Sequence, residues 1–115
     1  MKKGKRDEIK REYDLILAMF DDIADRKKVA AIDGLILAAA EAKVNLDALQ
    51  RIVDRDGVVE FHPSNPSRYR LTPAARELPK FSASYSDKID RLTRWHERWA
   101  GQVEDKEVDE LAEWE

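Results

Sequence analysis

Two arginines flank a tyrosine in the second half of the chain, and no other stretch concentrates as much chemistry. Arg68 and Arg70 stand on either side of Tyr69, after a turn that contains Pro63 and Pro66. Guanidinium groups on an exposed ribbon bind phosphate oxygens through paired hydrogen bonds that carry no sequence information. Alternation along a strand would place both arginines on one face and the tyrosine on the other. We therefore expect Arg68 and Arg70 to contact nucleic acid. The alternative is a solvated edge hairpin whose arginines prevent aggregation.

Charge is distributed unevenly along the chain, although the total is only −3. Six cations and two anions give residues 1–11 a net charge of +4. One cation and seven anions give residues 102–115 a net charge of −6. Opposite charges at the two ends predict different partners for different segments.

The basic start is expected to be a flexible arm, over residues 1–11, that adds electrostatic contacts to DNA. Its candidate DNA-binding residues are Lys2, Lys3, Lys5 and Arg6. The acidic tail, over residues 102–115, should be repelled by phosphates. It carries Leu111 and Trp114 at three-residue spacing, and we expect these two side chains to dock on a protein partner. The alternative is a tail that only keeps the protein in solution.

Several chemistries are unsupported by the composition. The chain has no cysteine, which excludes disulfides, thiolate zinc sites and cysteine nucleophiles. Its four glycines are too scattered to form a phosphate-binding loop. Asp21, Asp22 and Asp25 form an acidic cluster, but such clusters are solvated far more often than they bind metal. We expect no catalytic residue, no metal and no cofactor, and hence no enzyme.

The length of 115 residues fits one domain, whose helical part would cover residues 12–101. No apolar run approaches the roughly 18 residues of a membrane-spanning helix, and no signal-peptide core follows the basic start. These features predict a soluble, cytoplasmic protein, in the host cytoplasm if it is viral, that makes no contact with a membrane.

Apolar residues at three- and four-residue steps predict a first helix over residues 7–25 and a long apolar stripe over residues 29–53 that stops at Gly57. The long stripe is either one helix or a helix-turn-helix with a turn near residues 43–45. Small residues in its middle allow another helix to approach closely, either from the same chain or from a second copy. We expect a homo-oligomer whose contact buries Leu35, Ala39, Ala42, Leu46 and Leu49.

Past Gly57 the pattern predicts a hairpin near residues 58–71. Thr72 and Pro73 are suited to the cap and first position of a helix that Pro79 should stop. A linker over residues 81–84 and a last helix closed by Gly101 should follow. The predicted fold is mainly α, with three to four helices, a long central helix or helix-turn-helix, and one small β-hairpin.

The order of these features resembles the small subunit of tailed-phage terminases, over about residues 10–98. The matching features are Asp33, the stripe over residues 35–53, Arg55-Asp56-Gly57, Asn65-Pro66 and Pro73-Ala74-Ala75-Arg76. The resemblance implies a helical, oligomeric protein that recognises double-stranded viral DNA. It also implies delivery of that DNA to the terminase large subunit, which holds the ATPase and the nuclease; the acidic tail would contact that partner.

Part of the chain, about residues 30–80, also resembles winged-helix DNA-binding regulators. Residues 56–59 and 69–76 would form a wing that leads into the final helix. Residues 46–55 would then be the recognition helix, with Asn45, Gln50, Arg51 and Arg55 as candidate DNA contacts. A third hypothesis is a helical adaptor protein without a nucleic-acid role.

Overall fold

The computed structural model describes the backbone of residues 3–114 and the side chains of residues 4–101. Helices account for 76% of the 115 residues, and the described part of the chain contains four helices and one two-stranded antiparallel hairpin, which confirms the predicted fold class. The elements in chain order are α1 (Lys3–Ala18), α2 (Arg26–Ala31), α3 (Asp33–Asp56), β1 (Val59–His62), β2 (Asn65–Leu71) and α4 (Pro73–Trp114).

The core forms where α3 packs between α1 and α4. Phe20, just after α1, is fully buried and meets the Trp99 ring edge-on at 6.0 Å. Ile36 and Leu92 are also fully buried, so one apolar stripe of α3 and one of α4 share this core. The buried cluster comprises Ile9, Ile16, Phe20, Ile23, Val29, Ile36, Ala39, Ala40, Val44, Leu92 and Trp99.

The first half of the chain differs from expectation at its helix ends. The helix predicted over residues 7–25 instead begins at Lys3 and ends at Ala18, so the segment expected to be a flexible arm is largely helical. Asp25 does not continue that helix. It caps α2, because its carboxylate accepts a hydrogen bond from the Lys27 N–H at 3.0 Å. The long stripe is interrupted at Ile32, which separates α2 from α3.

The two alternatives for the central stripe are resolved in favour of one helix. α3 runs without a break through Asn45. Lys43 and Asp47 form an ion pair at 2.9 Å across the position where a helix-turn-helix would have its turn. Gly57 ends α3 as predicted. Its φ of 89° lies in the left-handed region that favours glycine, and its N–H donates to the Val53 carbonyl at 2.7 Å.

The last third of the chain contradicts three expectations. α4 continues through Pro79, through the predicted linker over residues 81–84 and through Gly101. Proline lacks the N–H that would bond the carbonyl of Ala75, so α4 crosses Pro79 with one hydrogen bond missing. Packing compensates for this loss, because buried Ala75 lies on one side of the proline and buried Leu92 anchors the other. An interior glycine costs only about 1 kcal/mol and does not force a helix to end.

The hairpin falls where it was predicted. Val59 pairs with Leu71, and the pairing continues up to Phe61 and Tyr69. The register then shifts, because His62 pairs with Asn65, so residues 66–68 form a bulge in β2. Proline cannot donate to a ladder, and a bulge that contains Pro66 avoids that requirement.

Candidate nucleic-acid interface

The hairpin is anchored at its base by Thr72, which is buried. The Thr72 hydroxyl donates to the Gly57 carbonyl at 2.9 Å and accepts from the Ala75 N–H at 3.3 Å. The Thr72 N–H also donates to the Val58 carbonyl at 2.9 Å. The Thr72 side chain therefore caps α4, as predicted. Together with the Thr72 N–H, it also holds the two ends of the hairpin beside the end of α3.

Hydrogen bonds between side chains and backbone shape the hairpin tip. The Ser64 N–H donates to Nδ1 of His62 at 3.1 Å. Asn65 Oδ1 accepts from the Ser67 N–H at 3.2 Å and from the Ser67 hydroxyl at 2.6 Å. Turns closed in this way lose little further conformational entropy when a ligand binds.

Two aromatic rings project from the hairpin into solvent. Phe61 and Tyr69 face each other across the strands, with ring centroids 6.2 Å apart. They remain 61% and 69% exposed, respectively. The sequence analysis did not identify Phe61 as a site residue. Its position opposite Tyr69 becomes visible only from the strand register.

The two arginines beside Tyr69 are not equivalent. Arg70 pairs across the strands with Glu60, with Nε 2.5 Å from Oε1, so its charge is locally neutralised. Arg68 lies in the bulge, is exposed, and has no hydrogen bond or ion pair with any side chain that the structure describes. Of the two arginines predicted to contact phosphate, Arg68 is therefore the more available.

The same distinction applies to the arginines near the end of α3. Arg55 donates two hydrogen bonds to the Asp56 carboxylate, at 2.8 and 3.0 Å. These bonds raise the pKa of Arg55 and lower the pKa of the Asp56 carboxyl. Arg51 is exposed and has no such partner among the described residues. Gln50, another proposed recognition-helix residue, donates to Asp54 at 2.9 Å.

The N-terminal cations are only partly described. Lys5 and Arg6 lie exposed near the start of α1. The side chains of Lys2 and Lys3 lie outside the described residues, as do those of Leu111 and Trp114 in the acidic tail.

A cationic cluster on α4 was not singled out in the sequence analysis. Arg91, Arg94 and Arg98 surround Trp95, and the Arg98 guanidinium lies 5.0 Å from the Trp95 ring centroid. Arg91 also pairs with Asp87 at 3.2 Å. The sequence did indicate this cluster, because Arg94, Trp95 and Arg98 follow Arg91 by three, four and seven residues. This spacing places all four side chains on one face of a helix.

The structure separates the five residues predicted to lie between copies. Ala39 is fully buried inside a single chain, and Leu35 packs against the same core, so neither needs a second copy for its burial. Ala42 and Leu49 line shallow depressions between α3 and α4, and Leu46 is half-buried.

The acidic cluster after α1 has structural partners. Asp22 contacts Nε2 of His96 at 2.8 and 2.9 Å, which links the α1–α2 connection to α4. Among the described residues, no group of three or more potential ligands could hold a metal ion. Within the same part of the chain, no helix is long and apolar enough to cross a membrane.

No protein-family model, curated protein or solved structure matches this chain.

Proposed function

We propose that this chain is a non-catalytic DNA-binding protein and that the β1–β2 hairpin is its contact with the duplex. The observation that carries the proposal is the exposed pair Phe61 and Tyr69 beside Arg68, which has no partner among the described side chains. Two large aromatic rings left in water are unfavourable, and such exposed patches mark interaction sites. A cation beside them suits a partner that presents phosphates.

The shape of the hairpin supports the same partner. The major groove of B-DNA is about 12 Å wide and admits a two-stranded β-ribbon. The bonded tip around Asn65 gives that ribbon a defined conformation before it binds. Arg68 would contact phosphate or a guanine edge, and the aromatic rings would contact sugars or thymine methyl groups.

We further propose that the protein acts as a terminase small subunit does, by recognising viral DNA and delivering it to a large subunit. The order of elements supports this assignment. α3 begins at Asp33 and stops at Gly57, an extended segment containing Pro66 follows, and α4 begins at Pro73. The uninterrupted α3 favours this assignment over a winged-helix regulator, which needs a turn near residues 43–45.

The acidic tail is the segment we assign to the large subunit, through Leu111 and Trp114. Truncation after Gly101 removes the charge of −6 and leaves every described core residue in place. The truncated chain should bind DNA as before and lose capture of a cognate large subunit. Capture with unchanged affinity would assign that contact to another surface.

The hairpin assignment is tested by replacing both Phe61 and Tyr69 with serine and titrating a labelled duplex. If the duplex covers roughly 50 Å² of one ring, the lost burial is worth about 1.2 kcal/mol. The double variant should therefore bind the duplex at least about tenfold more weakly than the wild type. Leu15→Ser is the matched control, because Leu15 is 63% exposed on α1. The control should bind as the wild type does. Equal binding by the hairpin variant would refute this interface, and no duplex binding by the wild type even at low salt would favour the helical adaptor hypothesis.

A further inference from the structure

α1 packs against one face of α3, whereas among the described elements only α4 borders the face of α3 that carries Ala38 and Ala42. Ile36, Ala40 and Val44 of α3 point into the core shared with α1. Ala38 and Ala42 lie about half a turn around the helix from these residues. This second face is therefore an open surface of the described chain.

The open face is a shallow groove with three successive parts, here called the α3–α4 groove. Its hairpin end is lined by Leu49, Ile52, Asp56, Glu60, Thr72, Pro73, Ala74 and Glu77. Its middle is lined by Ala38, Glu41, Ala42, Asn45, Phe81, Ser84 and Lys88. Its far end continues along α4 alone and is lined by Arg91, Arg94, Trp95 and Arg98.

Large apolar side chains are exposed along the whole groove. Ile52 is 37% exposed at the hairpin end, Phe81 is 40% exposed in the middle and Trp95 is 36% exposed at the far end. Between them lie small residues such as Ala42, which let another helix approach closely. The exposed apolar residues of this surface are therefore typical of a protein–protein interface.

Charge in the groove is polarised from one end to the other. Among the described lining residues, the charged ones at the hairpin end are all acidic and those at the far end are all arginines. The middle holds one acid and one lysine. Asp56 and Glu60 already pair with arginines outside the lining, which leaves Glu77 as the acid best placed for an external partner. Glu77 has its own ion pair, with Lys80 one turn along α4, but at 3.9 Å this pair is longer than those of Asp56 and Glu60.

We propose that the α3–α4 groove is covered by the same groove of a second copy, related by a two-fold axis near Ala42 and Ser84. Such an axis exchanges the two ends, so the acidic end of each copy meets the arginine end of the other. Glu77 and Arg91 lie seven residues before and after Ser84, and they become partners across the interface in addition to the exposed ion pairs that each makes within α4. A nucleic acid fits this groove poorly, because its phosphates would be repelled at the hairpin end.

The dimensions of the groove suit a stable dimer. From Ala74 to Lys88 the groove follows both helices for about 21 Å, and from Lys88 to Arg98 it follows α4 alone for about 15 Å, at about 1.5 Å per residue. With a width of about 20 Å for two helices and about 10 Å for one, each copy offers roughly 570 Å². Two copies would together bury about 1,100 Å², and a biological interface is expected to bury at least about 1,000 Å².

This proposal does not rest on the proposed DNA-binding function. Phe61 and Tyr69 occupy the opposite face of the hairpin from Glu60, because successive residues of a strand alternate. The dimer would therefore leave both of these aromatic rings exposed. Substituting serine for these two aromatic residues should leave the solution mass unchanged.

The first test is the solution mass by sedimentation equilibrium. The wild type should have twice the chain mass of 13.3 kDa at about 100 μM. Ala42→Glu places a charge at the centre of the contact and should shift the mass to that of one chain. Ser86→Glu is the matched control, because Ser86 is exposed and lies about half a turn around α4 from Ser84. A monomeric wild type, or an Ala42→Glu variant that remains dimeric, would overturn the proposal.

The second test does not require a change at a half-buried position. Glu77→Arg and Arg91→Glu each place like charges across the interface twice, and each should weaken dimerisation about tenfold or more. The double variant restores opposite charges and should recover most of the lost affinity. Recovery is specific to this antiparallel arrangement. Single variants without effect, or a double variant weaker than either single one, would overturn it.

Discussion

Replacing Arg68 with glutamine removes a cation that has no described partner, and the consequence can be calculated. Each phosphate contact contributes about 0.9 to the slope of log affinity against log salt. Between about 50 and about 200 mM salt, one contact therefore changes the affinity about 3.5-fold. The ratio of the variant's dissociation constant to that of the wild type should be about 3.5 times larger at the lower concentration.

The neighbouring ion pair provides the matched control. Replacing both Glu60 and Arg70 with glutamine removes two opposite charges that already neutralise each other. This double variant should keep the wild-type slope. The assay is fluorescence anisotropy of a labelled duplex, titrated at several salt concentrations. Equal slope changes in both variants would refute the inference that pairing with Glu60 withholds Arg70 from DNA, and no change in either would place the duplex elsewhere.

Three further predictions concern stability, measured by urea unfolding. Pro79→Ala should raise the free energy of unfolding by up to about 3 kcal/mol, because α4 continues across this position; no gain would mean that the helix ends there. Tyr13→Phe removes the hydrogen bond to Asp33 and should cost about 1 kcal/mol at neutral pH. That bond raises the pKa of Tyr13 above its ordinary value of 10.0, so its contribution is complete below pH 10 and is lost as the pH rises through the folded-state pKa; a penalty that persists at strongly alkaline pH would contradict this. Thr72→Val should cost about 1–2 kcal/mol through loss of the α4 cap and the bond to the end of α3, whereas Thr93→Val should be near neutral; equal effects would refute the anchoring role of Thr72.

The elements defined by local chemistry were predictable from the sequence. Gly57 ends α3 because glycine tolerates a positive φ, and Thr72 followed by Pro73 begins α4 because the pair combines a capping hydroxyl with a preset backbone angle. The hairpin followed from the change of period after Gly57.

The continuity of α4 was not predictable from local rules. Pro79 has a strong intrinsic tendency to end a helix, and only the packing of residues such as Leu92 on α3 shows that the tendency is overcome. In the same way, Asp25 belongs to an acidic run in the sequence. It acts as the cap of α2 because α1 already ends at Ala18.

The candidate site was only partly accessible to sequence reasoning. Arg68 and Arg70 looked equivalent, because strand alternation places both on one face. The bulge over residues 66–68 and the pairing of Arg70 with Glu60 make them different, and both features depend on strand register. The same register brings Phe61 opposite Tyr69.

The most direct test of the central claim is a titration of the isotope-labelled protein with unlabelled duplex DNA at about 50 mM salt, followed through backbone amide resonances. We predict that the largest shifts fall within residues 60–69 of the hairpin and that the resonances of residues 11–18 in α1 stay in place. Duplex binding that leaves the hairpin resonances unmoved, or no binding at this salt concentration, would contradict the assignment of the hairpin as the DNA contact.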